Sequence, residues 1–172
     1  MIFLSAGHHN KDAGAVANGF KESELTKELR DLIASEIKRI GGSVMLDNDN
    51  ETLSEYIRRI KPGSGSVVCE VHFNASSSPN ASGVECLHAS GAGATSKNLS
   101  NEIASAVSNS LCITNRGAKS EAESARGRLA ILRTNAGIAC LPEICFITNK
   151  NDMESYQAKK SQVAVCIAHL LV

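Results

Sequence analysis

The sequence predicts a single α/β domain: a mostly parallel or mixed central sheet of about six strands, flanked by helices on both faces. Three observations carry this. A length of 172 residues suits one domain that buries roughly two-thirds of the surface its unfolded chain exposes. Short runs rich in β-branched and apolar residues alternate with segments of helical period, the order that layers helices over both faces of a sheet. No repeat, linker or low-complexity stretch divides residues 1–172 into two domains.

Taken in order, Ile2 to Ser5 is a short apolar run ending at Ala6-Gly7-His8-His9. It reads as a first strand that delivers His8 at its carboxyl end, where α/β proteins gather ligands. A loop with Gly14 and Gly19 follows, and then Leu25, Leu29, Leu32, Ile33, Ile37 and Ile40 recur at helical spacing until Gly41-Gly42. Ser43 to Leu46 reads as a second strand. Thr52 with Glu55 three residues on is a capping box; it opens a helix with Leu53, Ile57 and Ile60 inward, closed by Pro62-Gly63. Ser66 to Phe73 is β-branched enough for a central strand, and the polar stretch Asn74 to Ser82 is a loop leading into a strand from Gly83 to Leu87. Leu99, Ile103, Val107 and Leu111 mark another helix. Gly127 to Arg133 and Ile138 to Thr148 read as two further strands, and Val163, Ile167 and Leu170 mark a C-terminal helix.

Composition narrows the function classes. Lys plus Arg and Asp plus Glu number 18 each, so no net field draws the chain to nucleic acid or an anionic membrane. Aromatic residues make up 3% with no Trp, which argues against stacking platforms for bases and against aromatic sugar subsites. The six cysteines sit mostly in apolar runs and read as reduced core residues. The amino terminus has neither the basic region nor the apolar length of a signal peptide, and no segment approaches membrane-spanning length. The expectation is a protein made in the cytoplasm.

Four dispersed residues carry the chemistry. His8, Glu22 and His72 supply two imidazoles and a carboxylate, a set that suits catalytic zinc with one position left for water. There is no contiguous zinc signature, and each residue has an ordinary reading. His8 and His72 are the types of residue found hydrogen-bonded in cores, His9 reads as a solvated neighbour, and Glu22, like Glu24, suits the first turn of a helix. Alternation along the central strand puts Val67, Cys69, Val71 and Phe73 on one face and Val68, Glu70 and His72 on the other. Glu143, inside Leu141-Pro142-Glu143-Ile144-Cys145-Phe146, occupies a buried-looking strand where an unpaired carboxylate is costly, so it should face a polar cleft or a metal.

The segments Ser5 to Ala15, Asn18 to Leu25, Val71 to Ala75, Ser82 to Glu85 and Leu132 to Asn149 occur in an order that resembles the zinc-dependent N-acetylmuramoyl-L-alanine amidases of bacterial cell-wall hydrolysis and phage endolysins. The resemblance spans nearly the whole chain and implies one catalytic domain, 1–172, without a separate wall-binding domain. It aligns His8, Glu22 and His72 with the family's zinc ligands and Glu143 with its catalytic glutamate. It implies one Zn2+ as cofactor and peptidoglycan as partner; the balanced charge and the lack of a spanning segment give the expectation of no nucleic acid and no membrane insertion. Asn74 and Arg133 become candidate substrate contacts. An endolysin-like protein without an export signal would reach the wall after release or lysis.

Two departures stand out. The family's opening motif is of the Asp-Pro-Gly-His-Gly type, where this chain has Ser5-Ala6-Gly7-His8-His9. The family also tends to carry a small polar residue two positions before the second histidine, where this chain has Glu70. Glu70 shares a face with His72, so it is expected either to orient a metal ligand or to pair with a Lys or Arg. Competing readings of the chain are a zinc peptidase or deacylase acting on another amide, and a non-catalytic wall-binding module.

Overall fold

The computed structural model describes residues 1–172. In chain order its elements are β1 (Ile2–Ala6), a hairpin of β2 (Val16–Ala17) and β3 (Phe20–Lys21), α1 (Glu22–Arg39), β4 (Val44–Leu46), α2 (Leu53–Arg59), β5 (Val67–Asn74), β6 (Val84–His88), α3 (Ala94–Leu111), β7 (Asn115–Ser120), β8 (Ile138–Phe146) and α4 (Lys150–Leu171). Two 3-10 turns, Glu121–Glu123 and Ala130–Arg133, lie between β7 and β8. Six strands form one sheet in the order β4-β1-β5-β8-β6-β7. The first four of these run parallel, β6 is antiparallel to β8, and β7 is parallel to β6. The sheet is therefore mixed, as expected.

Strand alternation gives the sheet two unlike faces. Cys69, Val71 and Phe73 of β5, with Ile2 and Leu4 of β1 and Cys140 and Ile144 of β8, pack on α1, α3 and α4 in a cluster of 28 buried residues. Each fully buried Leu or Ile there contributes about 1.5–3 kcal/mol relative to exposure. The opposite face has a cluster of only nine, in which Phe3, Val68, Ala139 and Leu141 meet Tyr56 and Ile60 from α2 and its end, and Ile131 and Leu132. That smaller cover leaves part of the second face open. All six cysteines are unbridged, and no helix is long and apolar enough to cross a membrane.

Three expectations need correction. Gly127 to Arg133 is not a strand: Ile131 and Leu132 are buried against the minor core from a 3-10 turn, so the apolar run reflects packing without sheet pairing. The sixth strand is Asn115–Ser120, whose polar sequence is tolerated because β7 is an edge strand paired only with β6. In α2 the capping box of Thr52 and Glu55 forms, but Leu53 is exposed and the buried side chain is Tyr56. The first loop contains β2 and β3, joined through Asn18 and Gly19 at φ 51° and 82°, the positive-φ pair that a tight two-residue hairpin turn requires.

Candidate metal centre

β1 and β5 lie side by side with Ser5 opposite Glu70 and Ala6 opposite Val71. The Gly7 N–H donates to the Val71 carbonyl (2.8 Å), so the chain leaves β1 directly beside His72. His8 follows with φ 67°, a left-handed conformation that non-glycine residues rarely adopt and that clusters at functional sites. Glu22 opens α1, and Thr26 one turn on donates to the Gly7 carbonyl (2.6 Å), which fixes the helix start against this turn.

The three candidate ligands converge. Their donor atoms all lie within 4.8 Å of one another. His8 Nε2 stands 3.1 Å from Glu22 Oε2, and His72 Nδ1 stands 3.0 Å from Glu22 Oε1. Backbone N–H groups of Ala15 (2.9 Å) and Phe73 (3.1 Å) donate to the two Glu22 oxygens and hold the carboxylate in place. Two glycines make the room: a Cβ on Gly7 would fall 2.3 Å from His72 Cε1, and one on Gly14 would fall 2.7 Å from Glu22 Oε2.

Each imidazole also has a carboxylate on its far nitrogen. His8 Nδ1 donates to Asp12 Oδ2 (2.8 Å), and His72 Nε2 donates to Glu70 Oε2 (3.1 Å). Ser5 Oγ in turn donates to Glu70 Oε1 (3.3 Å), and no Lys or Arg pairs with Glu70. This carboxylate–imidazole arrangement is typical of zinc-bound histidines, so the donor set and its supports fit that metal. Burial works against a charge on Glu22, yet the hydrogen bonds from His72 and His8 hold its pKa well below the usual carboxylate range. Burial likewise opposes a charge on His72, but Glu22 and Glu70 outweigh it and raise its pKa.

Glu143 on β8 lies opposite His72 on one side and opposite Glu85 of β6 on the other. Its Oε2 is buried with no hydrogen-bond partner. Burial, reinforced by the nearby charges of Glu22 and Glu85 and opposed by His72 and His8, pushes its pKa up to about 7. All four residues line one cavity of about 830 Å³.

Residues 2–171 match the family model described as N-acetylmuramoyl-L-alanine amidase. The chain belongs to that family. Among amidase relatives, LytC of Bacillus subtilis (strain 168) is 26% identical over 155 residues, covering 88% of this chain and 30% of LytC. The endolysin of Bacillus phage SPP1 is 29% identical over 165 residues, covering 88% of this chain and 56% of the endolysin. This amidase-family chain thus spans less than two-thirds of either relative. The crystal structure of an N-acetylmuramoyl-L-alanine amidase from Clostridium difficile 630 superimposes with a TM-score of 0.85 at 21% identity, over 98% of this chain and 92% of that one, and so shares the fold.

The two candidate substrate residues separate. Asn74 lines the cavity and donates from Nδ2 to Glu85 Oε1 (3.1 Å). Arg133 does not line it; it is the last residue of the 3-10 turn Ala130–Arg133 and pairs with the fully buried Glu121, so closeness in sequence to β8 does not bring it to the site. Arg116 and Lys119, which no pattern in the sequence singles out, line the cavity from β7. A basic pair on a polar edge strand leaves no hydrophobic period to flag it.

Proposed function

We propose that this chain hydrolyses the amide joining N-acetylmuramic acid to the L-alanine of the peptidoglycan stem, using one zinc ion held by His8, Glu22 and His72. The observation that carries the reading is the convergence of those three side chains in one cavity with a half-buried carboxylate, Glu143, whose buried Oε2 lacks a partner. Family membership and the likeness to an N-acetylmuramoyl-L-alanine amidase and a phage endolysin support the substrate class. Zinc in this position supplies Lewis acidity, polarising a carbonyl and acidifying a water.

The rest is done by the chain. Glu143 takes the proton of the attacking water and returns it to the departing alanine nitrogen, a role that needs a carboxyl group able to hold and release a proton near neutrality. Neither carboxyl oxygen of Glu143 is committed to a hydrogen bond within the protein, and the residue lines the cavity where the water would enter. Glu22 stays ionised under its two backbone donors and so remains a ligand. Glu70, anchored by Ser5, fixes the ring of His72 through Nε2 and leaves Nδ1 facing Glu22.

The likeness to the phage endolysin favours a lytic role in which the protein meets the wall after release. Digestion of purified sacculi tests the reaction: new L-alanine amino termini and lactyl-terminated glycans are expected, lost on chelation and restored by zinc. Cleavage of an interpeptide bond with no free alanine amine would favour the peptidase alternative. Binding to sacculi with no release, unchanged by Glu143→Ala, would favour a wall-binding module.

A further inference from the structure

We propose that Arg116 and Lys119 form an anion subsite that takes a carboxylate of the stem peptide, on the peptide side of the bond that is cut. The inference rests on the amidase reading above and adds the chemical class of peptide preferred. Both cations line the cavity, and both contact one acid: Glu85 Oε2 accepts from Arg116 Nε (2.6 Å) and from Lys119 Nζ (2.7 Å). One carboxylate against two cations leaves one positive charge uncompensated.

The donors of this pair are only partly used. Arg116 has no protein acceptor for either terminal guanidinium nitrogen, and Lys119 gives only one of its three N–H groups to Glu85. The guanidinium carbon of Arg116 sits 5.2 Å from the centre of the Phe146 ring, and this contact together with Glu85 fixes the orientation of the fork. Arg30 and Arg59 do not line the cavity; they stand behind the wall formed by their acid partners Asp47 and Glu51. Arg30 is bonded to Asp31, Asp47 and Asp49, and Arg59 to Glu51 and the Leu46 carbonyl. An anion entering the cavity therefore finds free donors on Arg116 and Lys119 of β7, and beyond that strand on Arg126, which also lines the cavity without a side-chain partner.

Position selects the carboxylate. Glu143 is opposite Glu85 in the register of β8 and β6, and β7 is the next strand, so the basic pair lies roughly two strand spacings, about 10 Å, from the strand of Glu143. An extended peptide advances about 3.4 Å per residue, and side-chain reach closes part of the gap. A carboxylate on the second stem residue, one beyond the alanine released by hydrolysis, reaches the pair.

The test compares disaccharide tetrapeptides whose second residue carries either a free carboxylate or a carboxamide, with intact sacculi of both kinds as the polymeric control. Wild type is expected to favour the carboxylate in kcat/KM by on the order of tenfold, mostly through KM, as loss of one charge-assisted contact implies. Arg116→Gln and Lys119→Gln should shrink that ratio, and the double variant should bring it close to one. Because Glu85 also faces Glu143, these variants can change turnover on any substrate; the ratio cancels that effect. Equal use of both substrates by wild type, or a preference that survives in the double variant, overturns the subsite and leaves the amidase reading standing. Release of no alanine amine from either peptide or from sacculi overturns both.

Discussion

The two faces of the sheet are built from the same strands and do opposite work. On one face three long helices seal an apolar cluster of 28 residues. On the other a short helix and 3-10 turns bury nine, and the uncovered strand positions hold Ser5, Glu70, His72 and Glu143 around a cavity. Adjacent residues on β5 belong to different tasks: Val71 and Phe73 anchor the core, while Glu70 and His72 between and beside them face the site. Alternation lets the stable face carry the cost of a polar one, because each strand is held by its helix side whatever its other side contains.

The largest test of this division is Glu143→Gln. Turnover should fall by on the order of a hundred- to ten-thousandfold, the usual worth of a general acid–base group, while bound zinc is retained. The thermal midpoint should not drop, because the substitution removes a half-buried carboxylate whose buried Oε2 has no partner. Leu29→Ala tests the sealed face: Leu29 is fully buried against the sheet, and unfolding free energy in urea should fall by about 2–5 kcal/mol. Zinc affinity of the folded fraction should stay unchanged; a parallel loss of affinity would show that the faces are not independent.

Glu70→Gln acts through His72 and should weaken zinc binding by about 10–100-fold, measured by competition with a chelator, with little change in stability. An unchanged affinity would reduce Glu70 to a structural neighbour. A smaller effect concerns the cover of the minor face. Glu121 is fully buried; burial opposes its charge, but N–H groups of Leu129 (2.7 Å) and Ser90 (3.1 Å) and the Arg133 partner hold its pKa below the ordinary value. The unfolded chain then binds more protons than the native one in acid, so this contribution is complete above about pH 4.3 and is lost as pH falls through the folded pKa. Unfolding free energy measured against pH should decline less steeply in acid for Glu121→Gln than for wild type.

The sealed face was the legible one. Leu25, Leu29, Ile33 and Ile37, and Leu99, Ile103, Val107 and Leu111, declare their helices because burial imposes a period, and all are buried. The β5 alternation placed Glu70 beside His72 for the same reason. The open face was harder to read. Asn115–Ser120 shows no apolar pattern because an edge strand needs none, so Arg116 and Lys119 escaped notice. Arg133 is near β8 in sequence, but its side chain turns to Glu121 and away from the site. Glu143 was visible because a lone acid among Leu141, Ile144 and Cys145 contradicts its surroundings. Asn18-Gly19 was a readable hairpin signal hidden within a short polar loop.

Zinc-edge X-ray absorption on metal-loaded protein tests the convergence of His8, Glu22 and His72 most directly. One equivalent of zinc is expected, with nitrogen and oxygen neighbours at about 2.0–2.2 Å, scattering from two imidazoles, and no sulfur shell near 2.3 Å. A sulfur shell from the cysteines, fewer than two imidazoles, or the same spectrum after His72→Ala would contradict the proposed centre.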